Sequence, residues 1–522
     1  MIPIKTNRKA VIRQVKAYVL GGFQYGDECK GSWTDYFADC FGATGIVRYN
    51  GGMQAAHTVC VKDGSSITKH TFAHIGSSLL QNSHTYITEN MVVSPQNLIN
   101  EAVVLSEETG EKVEDILKRV HIHENCLIRT PYHRSIARIL ELSSDEDKRR
   151  GSVGTGVSQV WKLYLAKGIG ITMSQALGKD DSLKEKLLKP IQDEFKKVLD
   201  ANWDRIESYK TDNPERASLI ADEEKNISFL VSNNSIRRQI AKWKEFIENL
   251  PDILYSDYDD IRRFGHENTY IKGKPSFHRN ESLAYDSNVF IFEGSQGLLI
   301  DSKYGIHPNV TGVDTTMLGA DRILKRSDDV VKVGIVKPLC TRHGIGIFPT
   351  EMTKKELEEI SPYEEQQCSY WNGKPRYGWL DLVLLNYAQE INKADYIVLS
   401  SLDRLNGIKT IPVCFQYKYI GSRFDKDTFD NLFEWNEYLN SIYIKQIKNI
   451  EAFSSSPGLL KSYLDDCIPI YVYIDGWNDI NKENAKDVTM QLQSFIKKHT
   501  GLETVGLSFG PCRQDKIMIK DI

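Results

Sequence analysis

No stretch of the sequence approaches the roughly 20 apolar residues that a membrane-spanning helix needs, so no membrane partner is expected. An excess of one charge is also missing: 66 basic residues face 70 acidic ones, a net charge of −4. Without a basic surplus there is no electrostatic footprint for a polyanion, and nucleic acid is not an expected partner. Cysteine is sparse. Nine residues are scattered over 522 positions with no C-x-x-C pair, which argues against a zinc site or a disulfide frame and for reduced thiols in a cytoplasmic protein. The first residues, "MIPIKTNRKAVIRQVK", are basic but lack the apolar segment of a secretory signal. What remains is an ordinary globular composition, 41% apolar and 26% charged, long enough for two or three domains or for one large α/β domain.

Several short apolar runs meet glycine-rich loops. "KAYVLGG" reads as a buried strand stopped by glycine, and "KGSWTDYFADCFG" as a helix closed by Gly42. "GIVRYNGG" and "TYITENMVVSP" are further β-rich runs, and "NLINEAVVLSEETG" is a helix ending at Gly110. The pattern returns in "SNVFIFEGSQG", "VVKVGIVKPL", "ADYIVLSSLD" and "IPIYVYIDGW". Strands alternating with helices predict an α/β fold with a large, mostly parallel central sheet, and ligands then belong at the carboxyl ends of the strands. Between about residues 175 and 285 the chain becomes charged and helical, with Ile236, Ile240, Trp243, Ile247 and Leu250 at helical spacing. This reads as a helical insertion within a single domain covering residues 1–522.

The first glycine-rich loop, "GGFQYGDECKGS", holds the glycines, lysine and serine of a phosphate loop in the wrong order for G-x-x-x-x-G-K-[ST]. Asp27 and Lys30 sit at a strand-to-helix turn, where backbone N–H groups attract anions. Lys30 can neutralise phosphate; Asp27 can hold Mg²⁺, remove a substrate proton, or simply cap the helix. Next comes "RYNGGMQAAHTV", whose small residues allow close backbone approach to a ligand and whose His57 is either a candidate acid or a structural histidine.

These two segments resemble adenylosuccinate synthetase, a family marked by a G-D-E-G-K-G loop and an N-G-G-H-N-A-G-H-T loop about twenty residues on. Five further blocks are similar and colinear. "FEGSQGLLIDSKYGIHPNVTGVDTT" resembles F-E-G-A-Q-G-x-x-L-D…P-x-V-T, and "TRHGIGIFPTE" resembles T-R-V-G-x-G-P-F-P-T-E. "GKPRYGWLD" resembles R-R-x-G-W-L-D, "SSLDRLNG" resembles K-L-D-x-L-x-G, and "SFGPCRQDKI" resembles S-x-G-P-x-R.

The resemblance implies a ligase that joins IMP to L-aspartate with GTP and Mg²⁺ through 6-phosphoryl-IMP, acting as a homodimer. Asp27 would take the purine N1 proton and ligate Mg²⁺ together with the carbonyl of Ala56, His57 would stabilise the transferring phosphoryl group, and Gly26, Lys30 and Gly31 would hold the GTP phosphates. Gln54, Ser152, Thr155, Gln296 and Thr311 would contact IMP, and Lys167 would reach the partner subunit's IMP site. Arg342, Lys374 and Arg376 would bind aspartate, while Asp403, Ser508, Gly510 and Pro511 would enclose guanine.

The departures are specific. Cys29 stands for a loop glycine, Met53 for histidine, Gln54 for asparagine, Ala56 for glycine, Val153 for threonine and Ser401 for lysine. Two alternatives follow: a paralogue that joins aspartate or a similar amino acid to a deoxy- or guanine nucleotide, with ATP a possible donor, and a nucleotide-binding regulator without turnover. Retention of Asp27 favours a 6-oxopurine of the IMP kind, and Asp403 favours guanine over adenine in the donor.

Overall fold

A computed structural model describes residues 15–64, 66–145, 151–211, 214–248, 254–256, 258, 288–358, 360, 371 and 373–522. Its centre is the strand Val15–Gly22, whose residues are almost all buried, the requirement for a strand covered on both faces. It pairs in parallel with Asn288–Gly297 on one side and Asp329–Val336 on the other, so the strand order reverses there. Outward from Asn288–Gly297 lie Gly45–Arg48, His84–Ile87, Val120–His123 and Leu254–Tyr255, all parallel. On the other flank come Tyr396–Leu399 and Glu503–Ser508, parallel, and a last antiparallel strand, Lys516–Met518. The resulting ten-stranded sheet is the mostly parallel α/β core that the alternating pattern predicts.

The first helix, Lys30–Phe41, packs Trp33, Phe37 and Ala38 against Tyr18, Val398 and Val505, and Gly42 ends it in a left-handed turn at φ 61°. The helix Pro95–Thr109 closes on Gly110 in the same way. One run is placed differently from its expectation. "IPIYVYIDGW" belongs to Cys467–Asp475, which pairs antiparallel with Thr410–Tyr419 in a second, six-stranded mixed sheet. An apolar run carries no mark of the sheet that receives it, and only pairing partners distant in sequence decide.

The helical region opens with Met173–Leu177, Asp181–Ser208, Pro214–Leu230 and Ser235–Glu248. Leu188, Ile191, Phe195, Ile220, Ile240 and Trp243 share one hydrophobic cluster with Ile87 and Ile122 of the central sheet. The chain then returns to that sheet, because Leu254–Tyr255 extends it beside Val120–His123. The side chains of Ile247 and Leu250, and residues 259–287, lie outside the described residues.

Not all thiols are reduced, contrary to the expectation from cysteine usage. Cys60 and Cys512, 452 residues apart, form a disulfide, because the strand His57–Asp63 lies in a parallel bridge against the C-terminal segment and brings their Cα atoms to 4.4 Å. The free thiols among the described residues are Cys29, Cys40, Cys126, Cys340, Cys414 and Cys467.

Candidate functional site

Loops from both neighbours of the central strand meet the turn that follows it. In that turn Glu28 points inward, not Asp27. Its buried carboxylate accepts from the N–H groups of Gln24 (2.9 Å) and Gly26 (3.0 Å) and pairs with Lys30 Nζ at 2.6 Å. Lys30 Nζ also donates to the Gly26 carbonyl. Folding the carboxylate back this way organises the turn and prepositions the lysine. Gly22 and Gly297 flank it so closely that a Cβ on either would meet a Glu28 carboxylate oxygen, at 2.4 Å and 2.7 Å.

Asp27 faces outward, 48% exposed, and accepts a 2.7 Å hydrogen bond on Oδ2 from His343 Nε2. Burial works upward on its carboxyl, but the hydrogen bond and charge of His343, with Lys337 and Lys30 beyond, hold it at about 2. Asp27 is therefore ionised at neutral pH.

His343 belongs to a loop that Arg342 and Arg376 anchor. Arg342 is buried, lies 4.6 Å over the Tyr25 ring, and donates to the carbonyls of Asn309 (3.2 Å) and Ile345 (3.1 Å). Its Nε and Nη1 are buried and meet no acceptor among the described residues. Arg376 is occupied by Glu351, to which Nε donates at 2.7 Å, and by the carbonyls of Gly344 and Gly346. Lys374 is exposed. Of the three expected aspartate contacts, Arg342 thus carries unmatched buried donors, Arg376 braces the loop, and Lys374 is exposed.

His57 begins the strand His57–Asp63 and is pressed against the first helix; a Cβ on Gly31 would lie 2.4 Å from the His57 Cβ. Its Nδ1 lies 2.5 Å from Oε1 of Glu293, a fully buried carboxylate that also accepts from the Ser77 N–H at 3.1 Å and from the Ser77 hydroxyl. Arg48, equally buried, stands with Nε 3.8 Å from Glu293. Burial opposes ionisation of Glu293, but the charges of Arg48 and His57 outweigh it and hold the carboxyl at about 2. For His57 burial is the largest influence and keeps the imidazole below its ordinary value. The Nδ1–H is thereby committed to Glu293, and Nε2 is left for a ligand.

Asp403 lies on the short helical turn Leu402–Leu405, and its Oδ1 is buried without a donor among the described residues. Burial also raises its pKa. Ser508 Oγ donates to the Gly510 carbonyl at 3.1 Å, and the Pro511 carbonyl accepts from Ser32 of the first helix at 3.3 Å. These segments therefore meet beside the same helix N-terminus. Two of the sequence departures also touch: Cys29 Sγ is 3.3 Å from Ser401 Oγ, and both residues are left-handed, at φ 70° and 55°. A left-handed backbone accounts for glycine at the first position of a related loop.

On the opposite side, Gln296 adopts φ 58°, packs against Gly26, and has a buried Oε1 with no donor among the described residues; Gln54 Oε1 is in the same condition. Thr311 is joined to the segment Ser152–Thr155 indirectly, through the 3.0 Å bond from Gly312 N–H to Ser158 Oγ. Ser152 Oγ accepts from Gly154 N–H at 3.2 Å. Ala56 is exposed and is not among the residues with positive φ, so an alanine is unstrained there. Lys167 is not brought to these groups: at the exposed end of Val157–Lys167 it pairs with Glu194 at 2.6 Å. Sequence reasoning missed Glu28, Arg48, Ser77, Glu293 and His343. Glu28 and Glu293 were visible inside the quoted loops, but nothing local separates an inward carboxylate from an outward one.

A family model described as adenylosuccinate synthetase matches residues 19–236 and 268–517. The adenylosuccinate synthetase of Aquifex aeolicus is 27% identical over 516 residues, covering 97% of each chain. The solved structure titled fully ligated adenylosuccinate synthetase from Plasmodium falciparum superposes with a TM-score of 0.70 at 20% identity, over 96% of this chain and 99% of that one. The succinoaminodeoxyadenylate synthetase of cyanophage S-2L, bound to dGMP and to dATP as energy donor, gives a TM-score of 0.52 at 13% identity, over 98% and 97%.

Proposed function

Because the chain belongs to the adenylosuccinate synthetase family, and is thereby a C–N ligase, we propose that it joins L-aspartate to IMP with GTP as phosphoryl donor. The observation that carries this reading is the convergence of an ionised, outward Asp27 with Lys30 and His57 at the carboxyl end of the central strand. In this reading Asp27 accepts the N1 proton of the purine, which makes O6 the nucleophile toward the γ-phosphorus of GTP. Lys30 exchanges its Glu28 and Gly26 partners for phosphate oxygens. The anionic ligands raise the pKa of His57, so that Nε2 donates to the phosphoryl oxygens while Glu293 holds Nδ1–H. The amine of aspartate then displaces phosphate at C6, and the unmatched nitrogens of Arg342 supply donors for its carboxylates.

Among the described residues no group of three or more His, Cys, Asp or Glu side chains forms a metal cage. Mg²⁺ binds through one or two carboxylates together with substrate phosphates, and the outward carboxylate of Asp27 with the Ala56 carbonyl would hold it. When bound, the ion would neutralise charge on the transferring phosphoryl group. The buried, unmatched Oδ1 of Asp403 favours a donor base with N–H groups at positions 1 and 2, as guanine has, over adenine, which presents the N1 lone pair there and would be repelled by a carboxylate. The remaining IMP contacts are assigned to Gln54, Ser152, Thr155, Gln296 and Thr311, and Gly26, Gly31, Ser508, Gly510 and Pro511 to GTP. We assign Lys167 to a partner subunit's site in a homodimer.

The test is product formation followed by mass spectrometry, with IMP, GMP and dGMP as acceptors and GTP or ATP as donor, alongside Asp27→Asn. Succinylated IMP formed with GTP, and lost in the variant, is the expected result. Product from dGMP but not from IMP would replace the acceptor, and no product from any pair would overturn the enzymatic reading.

A further inference from the structure

The hydrogen bond from His343 to Asp27 belongs to no contact described above as part of the reaction, and it joins residues 316 positions apart. Valine occupies this position in the T-R-V-G motif that the segment resembles, and valine can donate nothing. Among the described residues no other hydrogen bond reaches the Asp27 carboxylate. A half-exposed aspartate on a turn is otherwise free to rotate about two side-chain bonds. His343 itself has little freedom of position, since Arg342 before it is buried and bonded to two carbonyls, and the Gly344 carbonyl after it is held by Arg376 at 3.1 Å.

We propose that His343 is a positioning residue for Asp27: by donating from Nε2 to Oδ2 it fixes the carboxylate plane and leaves Oδ1 as the oxygen that takes the purine N1 proton. This rests on the functional reading given above and deepens it. The bond spans the catalytic turn and the loop assigned to aspartate, so the loop that receives the second substrate also orients the base that activates the first. No proton changes owner between His343 and Asp27 in this role; the histidine keeps its Nε2–H, and the proton from N1 resides on Asp27.

The experiment compares the wild-type protein with His343→Leu, which removes the donor, and His343→Gln, whose amide nitrogen reaches about as far as Nε2. Initial rates are measured with IMP, aspartate and GTP under saturation of each, and the unfolding midpoint is recorded for each protein. A hydrogen bond to a charged group corresponds to roughly a ten- to hundredfold effect. His343→Leu should lower kcat by that factor with the KM for aspartate within about threefold, and His343→Gln should recover most of it. A role in loop architecture alone would instead raise the KM for aspartate, lower the unfolding midpoint and not be rescued by glutamine, which would overturn the proposal. An unimpaired His343→Leu enzyme would overturn it equally. Should the wild-type protein itself give no product, the functional reading fails and takes this role with it, an outcome distinct from active wild type with an active leucine variant.

Discussion

Glu293→Gln tests the buried charge network behind His57 with almost no change of shape. On folding, the carboxyl moves from its ordinary 4.5 to about 2, and it is fully buried. At about 1.4 kcal/mol per tenfold change in proton affinity, this corresponds to roughly 3 kcal/mol of stability at neutral pH. A second route gives a similar size: without Glu293 the guanidinium of Arg48 stays buried with no counter-charge at 3.8 Å, and breaking a buried pair from one side costs about 3–5 kcal/mol. The sign follows from the depressed folded value. The stabilisation is complete above about 4.5 and is lost as pH falls toward about 2. Urea unfolding of both proteins should therefore show a gap of about 3 kcal/mol at neutral pH that narrows below about pH 4. Turnover should fall by about 10²- to 10⁴-fold, because the amide no longer fixes the donor state of Nδ1. Superimposable unfolding curves at neutral pH, or a gap that persists undiminished in acid, would refute the argument.

Asp403→Asn replaces the unmatched carboxylate oxygen by an amide; kcat/KM for GTP should fall about 10²- to 10³-fold while xanthosine triphosphate, which offers a carbonyl at C2, gains as donor, and steady-state rates with both nucleotides decide it. Cys29→Gly removes a Cβ from a left-handed turn at φ 70° and should stabilise the protein by about 0.5–1 kcal/mol in chemical denaturation, net of the lost contact with Ser401. Non-reducing peptide mapping should recover Cys60 joined to Cys512, and Cys512→Ser should lower stability by about 2–4 kcal/mol, since the bond closes a loop across most of the chain.

The parts of this molecule that were legible in sequence are those governed by local rules. Gly42 and Gly110 end helices because a left-handed residue must follow the last turn, and the buried run before Gly22 is a strand because both its faces are covered. Asp27, Lys30 and His57 could be singled out because they sit in loops of small residues at strand ends. What could not be read depends on which distant segments meet. Lys30 could be proposed from sequence as a phosphate ligand, but its pairing with Glu28 could not be read there. Arg376 has the residue type that grips carboxylates, yet the carboxylate it grips is Glu351 of the same chain. His343 and Asp27, Glu293 and His57, and Cys60 and Cys512 each meet across more than 200 residues, and composition and spacing do not encode such pairings. The same limit put Cys467–Asp475 in the wrong sheet.

Following the purine O6 tests the proposal that Asp27 makes this oxygen a nucleophile toward phosphorus. IMP labelled with ¹⁸O at C6 is turned over with aspartate and GTP, and the released phosphate is analysed by mass spectrometry. One ¹⁸O is expected in each phosphate formed, with none released to water, and Asp27→Asn should lose the reaction. Unlabelled phosphate accompanying formation of the succinylated product would contradict the proposal.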